Sequence, residues 1–265
     1  MQKKGKFHHK DYDFVHQANG DFRTVEIKEI ASNKVFIKHY HLLSKEQVQD
    51  IYEKYVFFYE RLPSEKVRTP QPLALTDTSI TFVFVNLPEE NRLNHFLTSD
   101  EATKIDALKR TAEALQILHE VGEEKNYNHG DFWYGNVFLF DQYVYIIDME
   151  APPRFQEKYK ELQQIQYKEF DFALFFNLLV TLEKSALQGY LTNNTKYHDI
   201  FFQAYTEAGV SIDSNKFKSA MRFLLKDKFF SIIKCHRTVW YKVPAHVVLF
   251  CLLLCRNRYF INVYI

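Results

Sequence analysis

Asp131, Asn136 and Asp148 are the residues whose types and spacing could do chemistry together. The first two stand in a polar loop, Asn128-His129-Gly130-Asp131-Phe132-Trp133-Tyr134-Gly135-Asn136. An apolar strand follows, Val137-Phe138-Leu139-Phe140, then a turn at Asp141-Gln142 and a second apolar strand, Tyr143-Val144-Tyr145-Ile146-Ile147, that ends in Asp148. Such a hairpin brings three oxygen-bearing side chains to its two ends. Oxygen-only ligation suits Mg2+, which takes few protein ligands and keeps places for water and phosphate oxygens. Asp131 would stand apart as the acceptor of a hydroxyl proton, with Asn136 and Asp148 turned to the metal.

His129-Gly130-Asp131, the spaced Asn136, and a strand ending Ile146-Ile147-Asp148-Met149-Glu150 together resemble the catalytic core of the aminoglycoside phosphotransferase-like kinases. That group includes choline-type, sugar and lipopolysaccharide kinases and shares the protein-kinase fold. By itself His129-Gly130-Asp131 reads as a polar turn; the spaced Asn136 and Asp148 carry the likeness. It is specific over residues 128–150, looser over 24–88 and faint beyond Asp171. The resemblance implies an α+β, protein-kinase-like two-lobed fold. An antiparallel five-stranded nucleotide-binding lobe would take residues 1–85, and a mostly helical catalytic and acceptor-binding lobe residues 86–265. It further implies ATP and Mg2+ as cofactors, with Asp131 catalytic and Lys38, Glu53, Val85, Asn136 and Asp148 around the nucleotide. Asn136 and Asp148 would hold the metal, and His129 and Asp171 would support the loop.

The elements that must position these residues can be read in order. Tyr12–Val15, the turn at Asn19-Gly20, alternating Thr24–Ile30, the turn at Ser32-Asn33 and Val35-Phe36-Ile37-Lys38 predict strands. A Lys within an apolar strand is usually an exposed edge residue; the likeness makes Lys38 the ligand of the α- and β-phosphates. No Gly-x-Gly-x-x-Gly precedes it, and Gly20 alone could let backbone approach phosphate. Ser44 and Gln47 form a capping box, and Val48, Ile51, Tyr52, Tyr55, Tyr59 and Leu62 recur at helical spacing before Pro63. This helix should supply the carboxylate that pairs with Lys38. Glu53 and Glu60 compete, each also readable as a solvated helix residue, and the family pattern around Glu53 favours it. Leu73–Leu75 and Ile80–Val85 predict two more strands, and Asn86-Leu87-Pro88 after Val85 fits a hinge that bonds adenine.

Beyond the hinge the pattern is helical. Thr98 and Glu101 suggest a capping box for a helix through Leu118, with Gly122 as a left-handed cap. Pro152-Pro153 stiffen the segment after Glu150, and Gly130 stands where regulated protein kinases carry the Arg that receives a phosphorylated loop. Asp171 opens another helix; the likeness makes it a brace for the catalytic loop, and the helix dipole would also favour it there. Residues 211–243 are rich in Lys and Arg with few acids, usually a solvated face. Clustered on one side, they would suit an anionic acceptor or a membrane surface.

Composition bounds the rest. A chain of 265 residues, 46% hydrophobic and 25% charged, can bury a large core, and a net charge of +1 gives no sign of a nucleic-acid binder. Cys235, Cys251 and Cys255 lack metal spacing and read as buried thiols in a reducing compartment. The basic N-terminus runs into His8-His9 with no apolar stretch, so no signal peptide is expected, and Ala245–Cys255 is too short to span a bilayer. His8, His9, His39 and His41 have no partners at ligand spacing. These features point to a cytoplasmic enzyme, peripheral to the membrane at most, with a small-molecule or glycan acceptor and no obligate protein partner. The scarcity of acids near the end of the chain favours a sugar or anionic glycolipid over an aminoglycoside or choline. An inactive nucleotide-binding module and a helical scaffold are the alternatives from other classes.

Overall fold

A computed structural model describes residues 23–30, 32–151, 167–179, 195–207, 209–236 and 251. The alternating segment β1 (Arg23–Ile30) pairs antiparallel with β2 (Asn33–Tyr40) across a turn where Ser32 is left-handed at φ 66°. β5 (Ser79–Val83) pairs antiparallel with β2, and β4 (Pro72–Leu75) with β5, in the order β1-β2-β5-β4. In the turn before β5, the backbone N–H of Ser79 donates to Thr76 Oγ1 at 2.9 Å. The strand expected over residues 12–15 and the turn at Asn19-Gly20 lie outside the described residues.

Helix α1 (Lys45–Arg61) carries both halves of its capping box: Gln47 N–H donates to Ser44 Oγ and Ser44 N–H to Gln47 Oε1. Its buried stripe runs Val48, Ile51, Tyr55, Phe58. The expected Tyr59 is instead 44% exposed, because steps of three and four residues from Tyr55 reach Phe58 as the next position on the face. That stripe packs on the sheet, where Phe82 lies stacked on Phe36 and edge-on to Tyr55, both at 4.8 Å between centroids.

A second sheet forms from three short strands, the first of which precedes β4 in the chain. β3 (Val67–Arg68) pairs parallel with β7 (Val144–Ile146), which pairs antiparallel with β6 (Val137–Leu139) in the predicted hairpin. Helix α2 (Leu93–Leu97) precedes α3 (Glu101–Gly122). Asp100, not Thr98, caps α3 by accepting from Thr103 N–H at 3.0 Å. Thr98 instead donates its hydroxyl to the Asn94 and His95 carbonyls and closes α2. Gly122 stays helical at φ −69°, and Asn126 makes the left-handed turn at φ 55°. Gly122 is needed for closeness: a Cβ there would lie 2.1 Å from the Tyr127 carbonyl oxygen.

Helices α4 (Lys168–Leu179), α5 (Lys196–Thr206) and α6 (Ser214–His236) complete the helical lobe around α3. Aromatic rings fill it: Phe172 stacks on Phe176 at 5.3 Å and Phe175 on Phe201 at 4.6 Å. Each buried ring contributes roughly 1.5–3 kcal/mol of transfer free energy. The molecule is thus α+β, with the antiparallel sheet and α1 on one side and the helical lobe on the other. Cys251 is exposed, not buried as expected; Cys235's side chain and Cys255 lie outside the described residues. Among the described residues no helix is long and apolar enough to cross a membrane.

Candidate functional site

The site forms where β1, β2 and α1 meet the segment after β7. Lys38, only 4% exposed, places its Nζ 2.5 Å from Asp148 Oδ1 and 3.1 Å from Glu150 Oε1. Arg23, at the start of β1, completes a four-charge cluster. Its Nη2 lies 2.8 Å from Asp148 Oδ2 and its Nη1 2.5 Å from Glu150 Oε1. The remaining Glu150 oxygen, Oε2, accepts from the hydroxyls of Tyr40 and Tyr55, each at 3.3 Å. Burial works against ionisation of Asp148, but the Arg23 and Lys38 charges overcome it and hold the carboxyl well below the usual range. Glu150 is likewise lowered against its burial by Lys38 and Arg23. Burial and the Glu150 charge push the Tyr40 and Tyr55 hydroxyls up, so both remain donors.

Asp148 reaches this place through a left-handed backbone, φ 57°. A short polar residue tolerates that region better than most. The turn is held because Tyr55 Oη accepts from Met149 N–H at 3.0 Å and the Asp148 carbonyl accepts from Glu150 N–H at 2.8 Å.

The polar loop is fixed from the helical lobe. Asp171, fully buried at the start of α4, accepts from the backbone N–H of His129 at 2.5 Å and of Gly130 at 2.7 Å. Gly130 has φ 89°, and a Cβ there would press on the Ala151 nitrogen at 3.1 Å. The His129 ring donates from Nε2 to the Ile147 carbonyl at 2.8 Å and accepts at Nδ1 from Asp131 N–H at 3.1 Å. That pattern requires a neutral ring, and burial pushes its pKa down to about 4. Asn136, 2% exposed, donates from Nδ2 to the Asp131 carbonyl at 3.0 Å and to its Oδ2 at 3.4 Å, while its own carbonyl accepts from Ile147 N–H. Asp131, Asn136 and the strand that delivers Asp148 are therefore one bonded unit.

Lys38, Asp148, Asn136, Asp131, His129 and Asp171 thus fall in one connected region. Glu53 does not join them. It is exposed and accepts from Gln49 Nε2 at 2.8 Å, and Glu60 is exposed as well. Tyr55 is the α1 residue that faces the cluster, and at roughly 100° per residue Glu53 lies about 200° around the helix from it and Glu60 about 140°. Val85, 36% exposed, stands just past β5.

Arg23, Lys54, Tyr55, His119 and Glu150 belong to the region without having been singled out. Glu150 carried a usable signal, since it follows Asp148 by two residues. Lys54 donates to the His129 carbonyl at 3.1 Å, burial having pushed its ammonium down to about 8. His119 pairs with Asp171 at 3.1 Å and with the Tyr205 hydroxyl at 2.7 Å, on the buried face of α3.

The donor set is hard. Asp148 is ionised, and Asn136, whose Nδ2 is spent on Asp131, offers its Oδ1 to a cation. That pair fits Mg2+ bound beside phosphate, which needs only one or two protein ligands. Among the described residues no three His, Cys, Asp or Glu side chains gather as a closed metal site. The same face of the first sheet carries an uncovered apolar strip. Val25 lies opposite Lys38 and Ile27 opposite Phe36, and at 58% and 55% exposed both remain open beside the charges.

No curated protein matches the chain. A solved macrolide 2'-phosphotransferase from Brachybacterium faecium is similar with a TM-score of 0.46 and 8% identity, covering 91% of this chain and 96% of its own. Residues 12–157 match the RIO domain, a protein-kinase-like family, and that span takes in the whole charge cluster and the loop that holds Asp131. The match covers more than half of the sequence, so the chain belongs to the RIO domain family.

Proposed function

We propose that the chain is an ATP- and Mg2+-dependent kinase that moves the γ-phosphoryl group to a hydroxyl of a non-protein acceptor, with a sugar of an envelope glycan or lipopolysaccharide as the acceptor class. The observation that carries this reading is the meeting of Lys38 and Asp148, from two lobes, at 2.5 Å, next to the bonded pair Asp131 and Asn136. Lys38 would bind the α- and β-phosphates, and Val25 and Ile27 would cover the base. Mg2+, held by Asn136 and Asp148, would neutralise charge on the transferred group. Asp131 would orient the acceptor hydroxyl and take its proton. Because the transition state of phosphoryl transfer is loose, positioning and charge neutralisation carry most of the catalysis.

The acceptor class rests on charge. Lys216, Arg222 and Lys226 are exposed on α6 and would suit an anionic glycolipid presented at the cytoplasmic membrane face. An aminoglycoside or choline-type acceptor would call for an acidic pocket instead. A second reading, a nucleotide-binding module without turnover, is favoured by Arg23, which occupies the Asp148 oxygen that a metal would need.

Melting curves with ATP, with and without Mg2+, on the wild type and Asp148→Ala test both readings, followed by turnover on a sugar acceptor panel. ATP at about 100 times its Kd should stabilise the protein by about 2.7 kcal/mol. Stabilisation that needs metal and Asp148, with turnover lost in a folded Asp148→Ala, is the kinase result. Metal-independent stabilisation without turnover selects the module. Turnover retained in Asp148→Ala would sink the assignment.

A further inference from the structure

Both carboxylate oxygens of Asp148 are taken, Oδ1 by Lys38 and Oδ2 by Arg23. Arg23 and Lys38 against Asp148 and Glu150 make a set with no net charge. A divalent cation on Asp148 brings two positive charges to the place where Arg23 Nη2 sits, so the guanidinium must leave Oδ2. It need not leave the site. Its other arm, Nη1, is held at 2.5 Å by Glu150, and Glu150 is itself fixed by the Tyr40 and Tyr55 hydroxyls. A guanidinium fork that matches a carboxylate matches a phosphate equally well.

The strand register gives a second, independent reason. Arg23, Val25 and Ile27 alternate along β1 and so share one face, opposite Tyr40, Lys38 and Phe36. One end of that face carries the side chains of Arg23 and Lys38, and the other is open and apolar. A nucleotide has the same polarity, phosphates at one end and base at the other.

We infer that Arg23 is a phosphate-binding residue stored on Asp148 in the nucleotide-free protein. When nucleotide and metal bind, it pivots on Glu150 and donates from Nη2 to a phosphate oxygen. The inference rests on the nucleotide reading above, and its test separates the two.

Calorimetric titration with adenosine, ADP and a non-hydrolysable ATP analogue, with and without Mg2+, would be run on the wild type, Arg23→Ala and Arg23→Lys. Arg23→Ala should bind the Mg2+-bound analogue about tenfold more weakly or worse, a loss of about 1.4 kcal/mol or more. Adenosine affinity should stay unchanged, and Arg23→Lys should recover part of the loss. Unchanged or tighter binding of the analogue by Arg23→Ala would make the guanidinium a mere plug and overturn the inference. So would an equal loss for adenosine and the analogue, which would mark a structural role. If Arg23→Ala fails to melt cooperatively, Arg23→Gln compared with Arg23→Lys gives the same readout. A wild type that binds none of the three ligands overturns the nucleotide reading itself, and the role of Arg23 with it.

Discussion

At the residue scale, Glu150 accepts from Lys38, Arg23, Tyr40 and Tyr55 while only 4% exposed. Glu150→Gln would leave two cations sharing Asp148 alone. Breaking a buried pair in this way costs about 3–5 kcal/mol, and urea denaturation should show a loss of that order together with weaker nucleotide binding. Glu53→Gln changes an exposed side chain bonded to Gln49, so its stability should stay within about 0.5 kcal/mol of the wild type and its nucleotide affinity should not move. The contrast decides which carboxylate fixes Lys38. Tyr55→Phe tests the support behind it. That substitution strands the buried Met149 N–H and removes a donor from Glu150, for an expected cost of about 1–3 kcal/mol in the same assay.

At the element scale, α1 joins the lobes through two neighbouring residues, Lys54 on the His129 carbonyl and Tyr55 on Met149. A protein kinase sends a Glu from the equivalent helix to its strand Lys; here the helix sends a hydroxyl and the carboxylate comes from the segment after β7. The sequence pattern made the helix, its cap and its end legible, because capping and apolar spacing are local. It could not show which of three faces meets Lys38, since that depends on how the helix packs against the sheet. The hairpin and Asp131, Asn136 and Asp148 were legible for the same local reason. Arg23 was not, because nothing in Phe22-Arg23-Thr24 distinguishes it from a solvated strand residue. The loop after α3 gives a prediction at this scale. Gly130→Ala must hold φ 89° with its Cβ against the Ala151 backbone, which should cost about 1–3 kcal/mol. The loop that carries Asp131 would shift with it, so turnover should fall further than stability does.

For the whole molecule, the buried bases set the response to pH. His129 is neutral when folded, with a pKa near 4, against 6.5 for an open chain. The unfolded state therefore binds the proton between those values. Its contribution is full above about pH 6.5 and lost as pH falls towards 4, about 3 kcal/mol in all. Asp148 and Glu150, both lowered, add to the loss at more acid pH. Lys54, at about 8 against 10.5, adds a separate rise in stability between those values. Urea midpoints from pH 7 to pH 4.5 should fall steeply for the wild type and less so for a His129→Gln protein. The loop that holds Asp131 also carries its own optical reporter. The chain has two tryptophans, and one of them, Trp133, follows Asp131 by two residues and lies against Gly135 and Tyr134. In a Trp240→Phe background, every photon of indole emission comes from that loop, so quenching and red shift would time its movements in a stopped-flow cell without any attached dye.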